Sequence, residues 1–186
     1  STSIGGIIGK YPTKDEKKIF EACQNHGNLY FKGTAKNHPR LGGLMGYSSG
    51  GAIVIIKDGF INTGNIEYSG KTDGADNVHI AGVFGYIDGA FTSYETTTTS
   101  TDESGAETTT TTTTSWTGNV VNTGNITFSG KSIGGKCRAG GIIGYSTAPL
   151  LESARYINVG SVTFSGDPGQ KVDNSGNPVI GVADVG

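Results

Sequence analysis

Side chains that could carry out chemistry are few in this sequence and do not recur together. The three histidines, His26, His38 and His79, fall at different positions of an internal repeat, so stacked repeats would not gather them into one site. A glycan-cleaving site needs two carboxylates about 5–9 Å apart or a carboxylate cluster that binds Ca²⁺. The acids here are scattered, and Glu67 is the one acid on a repeated strand face. We therefore predict no catalytic residues, no metal site, no cofactor and no enzymatic activity.

Three tyrosines are the candidate ligand-binding residues. Tyr47, Tyr86 and Tyr145 each follow a glycine-rich box of the repeat, so in stacked coils they would form a ladder of rings. An exposed ladder would offer aromatic faces to a sugar or to a partner protein. A buried ladder would be packing of the wall. The sequence favours the structural role and leaves the ligand-binding role open.

These residues belong to a repeat whose first signature is a small residue, Gly, an aliphatic residue, an apolar residue and Gly. Successive copies begin 37, 39, 59 and 40 residues apart. The copies are Gly5–Gly9, Gly42–Gly46, Ala81–Gly85 and Gly140–Gly144, with a degenerate fifth copy at Ile180–Asp184. A period of 37–40 residues is typical of solenoids. The one long step contains a threonine-rich insertion.

A second signature, Asn-x-Gly-polar-apolar-x-aromatic-x-Gly, contains a short alternating strand. Apolar residues such as Ile66 and Tyr68 occupy one face of this strand, and residues such as Glu67 occupy the other, as a half-buried strand requires. Asn and Gly tolerate positive φ and suit the tight corner before the strand. In stacked coils the corner asparagines would hydrogen-bond along the axis as a ladder. The ladder residues are Asn25, Asn62, Asn122 and Asn158.

The period and the short strands predict an all-β fold, a right-handed parallel β-helix of about four coils in a single domain. One coil cannot bury its apolar face alone, whereas stacked coils form a continuous core with neighbouring strands about 4.8 Å apart. The missing 3.6-residue period excludes a helical solenoid, and an antiparallel sandwich would not repeat at this spacing. The predicted coils are 5–41, 42–80, 81–139 and 140–179, and a fifth begins at 180–186.

The chain resembles the GLUG-type repeat, which occurs in tandem in bacterial cell-surface and adhesin-like proteins. The resemblance rests on the Gly-Gly-apolar-apolar-Gly-Tyr box at the start of GGLMGYSSGGAI, residues 42–53, and on FINTGNIEYSG, residues 60–70. It covers residues 3–186 apart from two segments. The resemblance implies a structural role at the cell surface and carries over no catalytic residues.

Two segments interrupt the period. In Tyr11–Cys23, Thr13 and Glu16 have the spacing of a helix capping box, which predicts a short helix inserted in coil one. The second insertion, 91–115, is rich in threonine and nearly symmetric about Gly105. It predicts a projecting β-hairpin, and the alternative is a disordered, glycosylated tract. Its candidate partner-contact residues are Tyr94, Thr98, Thr112 and Trp116.

Composition narrows the classes of function. Fourteen basic and sixteen acidic residues give a formal charge of −2. The sequence shows no basic patch, which argues against a nucleic acid or an anionic membrane as partner, and no apolar run reaches the roughly 20 residues of a membrane span. Cys23 and Cys137 belong to distant coils, so we predict that they do not form a disulfide.

The sequence as a whole predicts a non-enzymatic extracellular module, part of a cell-surface stalk, adhesin or filament. Its expected partners are further coils of the same chain or identical subunits, with a surface glycan or a host protein as a further candidate. Repeat boxes stand at both ends without a capping element, so we expect the chain to be a fragment of a longer one. The alternatives are a pectate-lyase-like β-helix that binds or cleaves glycans and an ice-binding protein.

Overall fold

The computed structural model describes residues 2–11, 17–50, 53–73, 77–88, 94–133, 136–147, 154–172, 175, 178–180 and 183–185. Within these ranges the regular elements are β-strands, and no helix is present. Most of the pairings join strands that lie one repeat apart in the chain and run parallel. The protein is therefore a parallel β-solenoid of about four turns, which confirms the predicted all-β solenoid.

Every coil adds strands to the same set of walls. Coil one contains β1 (Ser3–Gly5), β2 (Ile8–Tyr11), β3 (Lys17–Asn25), β4 (Leu29–Phe31) and β5 (Thr34–Ala35). Coil two contains β6 (Arg40–Gly42), β7 (Met45–Ser48), β8 (Ile53–Asn62), β9 (Ile66–Tyr68) and β10 (Lys71–Thr72). Coil three contains β11 (Val78–Ala81), β12 (Phe84–Ile87), β13 (Tyr94–Thr101), β14 (Glu107–Thr114), β15 (Asn119–Asn122) and β16 (Ile126–Phe128). Coil four and the turn that follows contain β17 (Cys137–Gly140), β18 (Arg155–Asn158), β19 (Val162–Phe164), β20 (Gln170–Val172), β21 (Pro178–Ile180) and β22 (Ala183–Val185).

The strands of successive coils stack into five parallel walls, termed sheets A to E. Sheet A contains β1, β6, β11, β17 and β22, sheet B contains β2, β7 and β12, and sheet C contains β3, β8, β15 and β18. Sheet D contains β4, β9, β16 and β19, and sheet E contains β5 and β10. Equivalent repeat positions lie beside one another, as Phe60 does beside Val120 and Ile66 beside Ile126.

The predicted helix at Tyr11–Cys23 is wrong. Lys17–Asn25 is strand β3, which pairs in parallel with β8. Phe20 is buried whereas Ile19 is 44% exposed, which is the alternation of a strand. The proposed capping box, 13–16, lies outside the described residues. Pairing with a buried strand overrides a weak local helix signal, and the 37-residue step of coil one leaves no room for an insertion.

Each coil encloses two hydrophobic cores. The first lies between sheets B and C and includes Met45, Ile55, Phe60 and Phe84. The second lies between sheets D and A, where a column of stacked rings runs along the axis with centroids 5.1, 5.2 and 4.6 Å apart. The rings of this column are Phe31, Tyr68, Phe128 and Phe164. These interior residues are the apolar strand face that the repeat predicts.

The two cores are separated where the glycine box turns inward between sheets A and B. A Cβ added to Gly43 would lie 2.6 Å from Oδ1 of Asn62. A Cβ added to Gly85 would lie 2.7 Å from the backbone oxygen of Leu41. A side chain at Gly43 would push the turn between sheets A and B away from Asn62 at the end of β8, and a side chain at Gly85 would push sheet B away from sheet A. A cleft opens between the outer faces of these two sheets.

Ile180–Asp184 is not a fifth glycine box, contrary to the prediction. Ile180 ends β21, which pairs antiparallel with β20. The chain then returns to sheet A in β22, with Ala183 beside Cys137. The hairpin of β20 and β21 lengthens this turn of the chain. The strand that joins sheet A therefore begins later than the repeat predicts.

The threonine-rich insertion forms the predicted β-hairpin. The strands Tyr94–Thr101 and Glu107–Thr114 pair antiparallel over eight residue pairs, and the side chains of residues 95–113 are exposed. Asp102 closes the turn, because its Oδ1 accepts hydrogen bonds from the N–H and hydroxyl of Ser104 at 2.9 and 2.6 Å. Gly105 supplies the positive φ of +83° that the turn requires. The hairpin therefore lies outside the two cores.

Candidate functional site

The four corner asparagines form a hydrogen-bonded ladder along the axis. The Nδ2 atom of each donates to Oδ1 of the next, from Asn25 to Asn62 at 2.6 Å, on to Asn122 at 2.7 Å, and on to Asn158 at 2.8 Å. Each Nδ2 also donates to the carbonyl of the glycine two residues later. Because these amides are bonded within the protein, we assign the ladder a structural role.

The tyrosine ladder lies beside the cleft between sheets A and B. The ring centroids of Tyr47 and Tyr86 are 5.3 Å apart, and those of Tyr86 and Tyr145 are 5.0 Å apart. All three rings are half-buried. The space beside them, termed the cationic cleft, has a volume of about 470 Å³. Its walls include Arg40, His79, Tyr86, Lys136, Arg138 and Tyr145.

Guanidinium groups cover the faces of the tyrosines. Cζ of Arg40 lies 3.9 Å from the ring centroid of Tyr47 and 4.6 Å from that of Tyr86. Cζ of Arg138 lies 4.1 Å from the ring centroid of Tyr145. The negative face of an aromatic ring attracts a cation at such distances. The tyrosines therefore hold cations in position, and their covered faces differ from the open faces that sugar stacking requires.

His79 occupies the middle of the cleft as a neutral ring. It is 2% exposed, stacks on Tyr145 with centroids 5.2 Å apart, and accepts a hydrogen bond at Nε2 from Nη1 of Arg138 at 3.0 Å. Burial, and then the charges of Arg138 and Arg40, lower the pKa of His79 to about 3. Because a guanidinium can only donate, the proton of the neutral imidazole sits on Nδ1.

Arg40 is a buried cation that forms no ion pair with the described residues. It is 8% exposed, and burial lowers the pKa of its guanidinium, against smaller opposing effects of Tyr47, Tyr86 and Asp88. Within the described part of the chain, no carboxylate lies within the 4.0 Å of an ion pair with Arg40. A buried charge of this kind is costly unless a counter-ion or a hydrogen-bond acceptor compensates it.

The cleft does not follow from the repeated residues of the sequence. Arg40, His79 and Arg138 lie side by side on sheet A, and each stands two residues before its glycine box. That position is variable, so it carries no repeat signal. Its recurrent choice of Arg or His was the available clue. Stacking gathers these cations, which are far apart in the sequence, into one cleft.

The predicted partner-contact residues separate into two groups. Thr98 and Thr112 are exposed on the hairpin, and Tyr94 begins β13, although its side chain is outside the described parts. Trp116 is 3% exposed and donates its Nε1–H to the carbonyl of Val54 at 2.7 Å. Its assignment as a contact residue is wrong, because an indole that is buried and hydrogen-bonded in this way belongs to the first core.

The remaining reactive side chains do not form a site. Cys23 packs against the first core and Cys137 lies in the second, and both are free thiols, as predicted. Burial raises the pKa of Cys137 to about 11, so its thiol stays protonated. Among the described residues, no three His, Cys, Asp or Glu side chains lie together as a metal site. The same residues contain no helix of the length and hydrophobicity that crossing a membrane requires.

Comparisons of the chain with known protein families, with curated proteins and with solved structures find no match. The resemblance to GLUG-type repeats therefore stays a prediction, and function has to be inferred from the coils, the hairpin and the cationic cleft.

Proposed function

We propose that the chain is a non-enzymatic structural module of an extracellular surface protein, such as a stalk, an adhesin or a filament. The observation that supports this role best is the continuity of contacts along the solenoid axis. Parallel strand pairing, the asparagine ladder and the column of stacked rings each run through all four coils. Stacked repeats tied together in this way make a stiff spacer.

The threonine hairpin is the element that we propose to contact a partner. Its side chains carry no core, and hydroxyl groups face each other across the strands at 3.4 Å, as between Thr97 and Thr111. A ribbon of two strands is marginally stable in water, and its outer edges keep backbone groups that another strand can pair with. A partner that adds a strand to the hairpin would stabilise the ribbon and pair the backbone groups of its edge.

The edge of coil four is the second contact surface of this proposal. Val162 and Phe164 face the second core but are only partly buried, whereas Ile126 and Phe128 one coil earlier are 0% and 1% exposed. Asn158 is exposed at the end of the ladder. A further coil, from the same chain or from an identical subunit, would cover these rings and continue the ladder.

Two alternatives have less support. A pectate-lyase-like enzyme needs convergent carboxylates, whereas the cationic cleft is lined by arginine, histidine, lysine and tyrosine. An ice-binding surface needs ordered threonines at one position of every coil, whereas the threonines here are concentrated on one hairpin.

Cell-surface display tests the proposed role. The chain is displayed on a non-adherent bacterium beside a variant in which Thr96–Thr114 is replaced by a short turn, and attachment to epithelial cells and clumping of the bacteria are counted. We expect attachment or clumping with the full chain and loss of it with the variant at equal display. Incubation with polygalacturonate should release no unsaturated sugars. The proposal would be contradicted if bacteria that display the chain attach no better than bacteria without it, or if unsaturated sugars are released from polygalacturonate.

A further inference from the structure

Two buried hydrogen-bond donors line the cationic cleft. Nε of Arg40 and Nδ1 of His79 are both shielded from solvent, and neither has a hydrogen-bond partner among the described residues. Nδ1 carries the proton of the neutral imidazole, since Nε2 already accepts from Arg138. Buried polar groups in native proteins are almost always satisfied. Both of these groups are donors, so this part of the cleft is rich in donors and positive charge and short of acceptors.

The charges of the cleft select a negatively charged acceptor. Arg40 and Arg138 flank the neutral His79 on successive coils, and Lys136 adds a further cation to the wall. Asp88 acts on Arg40 through its charge but forms no ion pair with it among the described residues. Arg138 has Asp184 of β22 as its neighbour in the register, so the inference rests on the charge of Arg40.

We propose that the cationic cleft binds an acidic saccharide, whose carboxylate or sulfate oxygens pair with the guanidinium group of Arg40. The cleft also presents neutral polar groups, the amide of Asn77 and the phenols of Tyr86 and Tyr145, which suit the hydroxyl groups of a sugar. The residues that line the cleft come from three successive coils, which lie about 4.8 Å apart, so the cleft suits an elongated ligand.

A nucleic acid fits the cleft less well. Single strands bind through bases that stack on open aromatic faces, whereas Arg40 and Arg138 cover the faces of Tyr47 and Tyr145. The saccharide site is independent of the structural role proposed above. Binding in solution tests the cleft, and cell attachment tests the module, so one can fail while the other holds.

Titration calorimetry with four probes tests the proposal and identifies the acid group. The probes are trigalacturonate, a sulfated heparin tetrasaccharide, the neutral sugar galactotriose and oligothymidine. We expect binding of trigalacturonate, of the sulfated tetrasaccharide or of both, with binding of galactotriose and oligothymidine at least tenfold weaker. The preferred acidic probe distinguishes carboxylate from sulfate. Absence of binding to both acidic sugars, or equal binding of galactotriose or oligothymidine, would overturn the proposal.

Variants of the cleft locate the binding site. Arg40→Met should lower the affinity for the acidic sugar about 10- to 100-fold, the effect of losing a charged hydrogen bond. Its urea midpoint should equal or exceed that of the wild type, because an uncompensated buried charge is removed. Asp88→Asn should raise the affinity severalfold, since it removes a like charge. Arg155→Met, a change at an exposed arginine of β18, should leave affinity and midpoint unchanged.

Arg40→Lys keeps the test decisive if Arg40→Met fails to fold. Lysine retains the positive charge but lacks the planar set of donors that matches a carboxylate or sulfate, so the affinity for the acidic sugar should still fall at least about tenfold. Full affinity in Arg40→Lys, or a lower urea midpoint with unchanged affinity in Arg40→Met, would show that Arg40 only packs against the tyrosines, and the proposed site would be wrong.

Discussion

Nη1 of Arg138 lies 3.0 Å from Nε2 of His79, and Arg40 occupies the neighbouring position on the other side of that histidine in sheet A. A histidine is thus held between two guanidinium groups in a wall that buries it almost completely. Protonation would place three positive charges in one row. Burial, reinforced by these two charges, lowers the pKa of His79 to about 3.

Acid should weaken the fold through His79. Its pKa is lower in the folded chain than the ordinary value of 6.5, so the unfolded chain binds this proton more tightly. The neutral ring contributes fully to the free energy of unfolding above about pH 6.5. This contribution is lost progressively as the pH falls toward 3. Between pH 7.5 and pH 4.5 the loss from this group should be about 2 to 3 kcal/mol.

Urea unfolding at pH 7.5, 5.5 and 4.5 measures this loss. His79→Gln should lose less free energy of unfolding than the wild type over the same range, because it has no imidazole to protonate. His26→Gln is the matched control, since His26 is exposed, and it should follow the wild type. Equal pH dependence in His79→Gln and the wild type would contradict the prediction.

Asn62→Ala should destabilise the solenoid by interrupting the asparagine ladder. Asn62 is fully buried, accepts from Asn25, and donates to Asn122 and to the carbonyl of Gly64. Its removal leaves buried partners unsatisfied, which should lower the free energy of unfolding by about 2 to 4 kcal/mol. Asn65→Ala, at an exposed corner position, should cost about 1 kcal/mol or less. Equal losses in both variants, measured by urea unfolding, would show that the ladder contributes little.

Gly43→Ala should prevent the glycine box from packing against the buried asparagine ladder. The added Cβ would collide with the backbone oxygen of Gly82 and lie 2.6 Å from Oδ1 of Asn62. Neither the backbone of Gly82 nor the hydrogen-bonded amide of Asn62 can move away freely. We therefore expect the free energy of unfolding to fall by about 3 kcal/mol or more, or no folded protein. At Gly50 the nearest atom would be 3.6 Å away, so Gly50→Ala should leave the thermal midpoint nearly unchanged. A folded Gly43→Ala with a wild-type midpoint would contradict the packing described.

The repeat predicts those features that depend on identical residues in every coil. The asparagine ladder and the aromatic column follow directly from stacking, because each equivalent position holds the same chemistry. Strand β3 was missed because its local sequence resembles a capped helix, and only its pairing with β8 decides the conformation. The cleft was missed because Arg40 and His79 are unlike residues at one repeat position, and the cleft itself depends on how closely the glycine box brings sheet B to sheet A.

Replacing Thr96–Thr114 with a short glycine-containing turn should leave the solenoid folded. The removed side chains are exposed apart from that of Thr114, which is half-buried. The chain is anchored after the hairpin by Trp116, whose indole donates to Val54, and by the backbone N–H of Thr117, which donates to the carbonyl of Ile56 at 3.0 Å. The free energy of unfolding should therefore change by about 1 kcal/mol or less.

Trp116→Ala is the opposing control, because it leaves the hairpin intact and removes a buried ring from the first core. That ring packs against Phe84 with centroids 6.0 Å apart, and its loss should cost about 3 to 5 kcal/mol. Circular dichroism and urea unfolding of the two variants place the boundary between hairpin and solenoid. A hairpin deletion that fails to fold, beside a stable Trp116→Ala, would show that the threonine strands support the coil and that Trp116 does not. If the hairpin lies outside the solenoid and Trp116 anchors it, the hairpin deletion should be the more stable of the two variants.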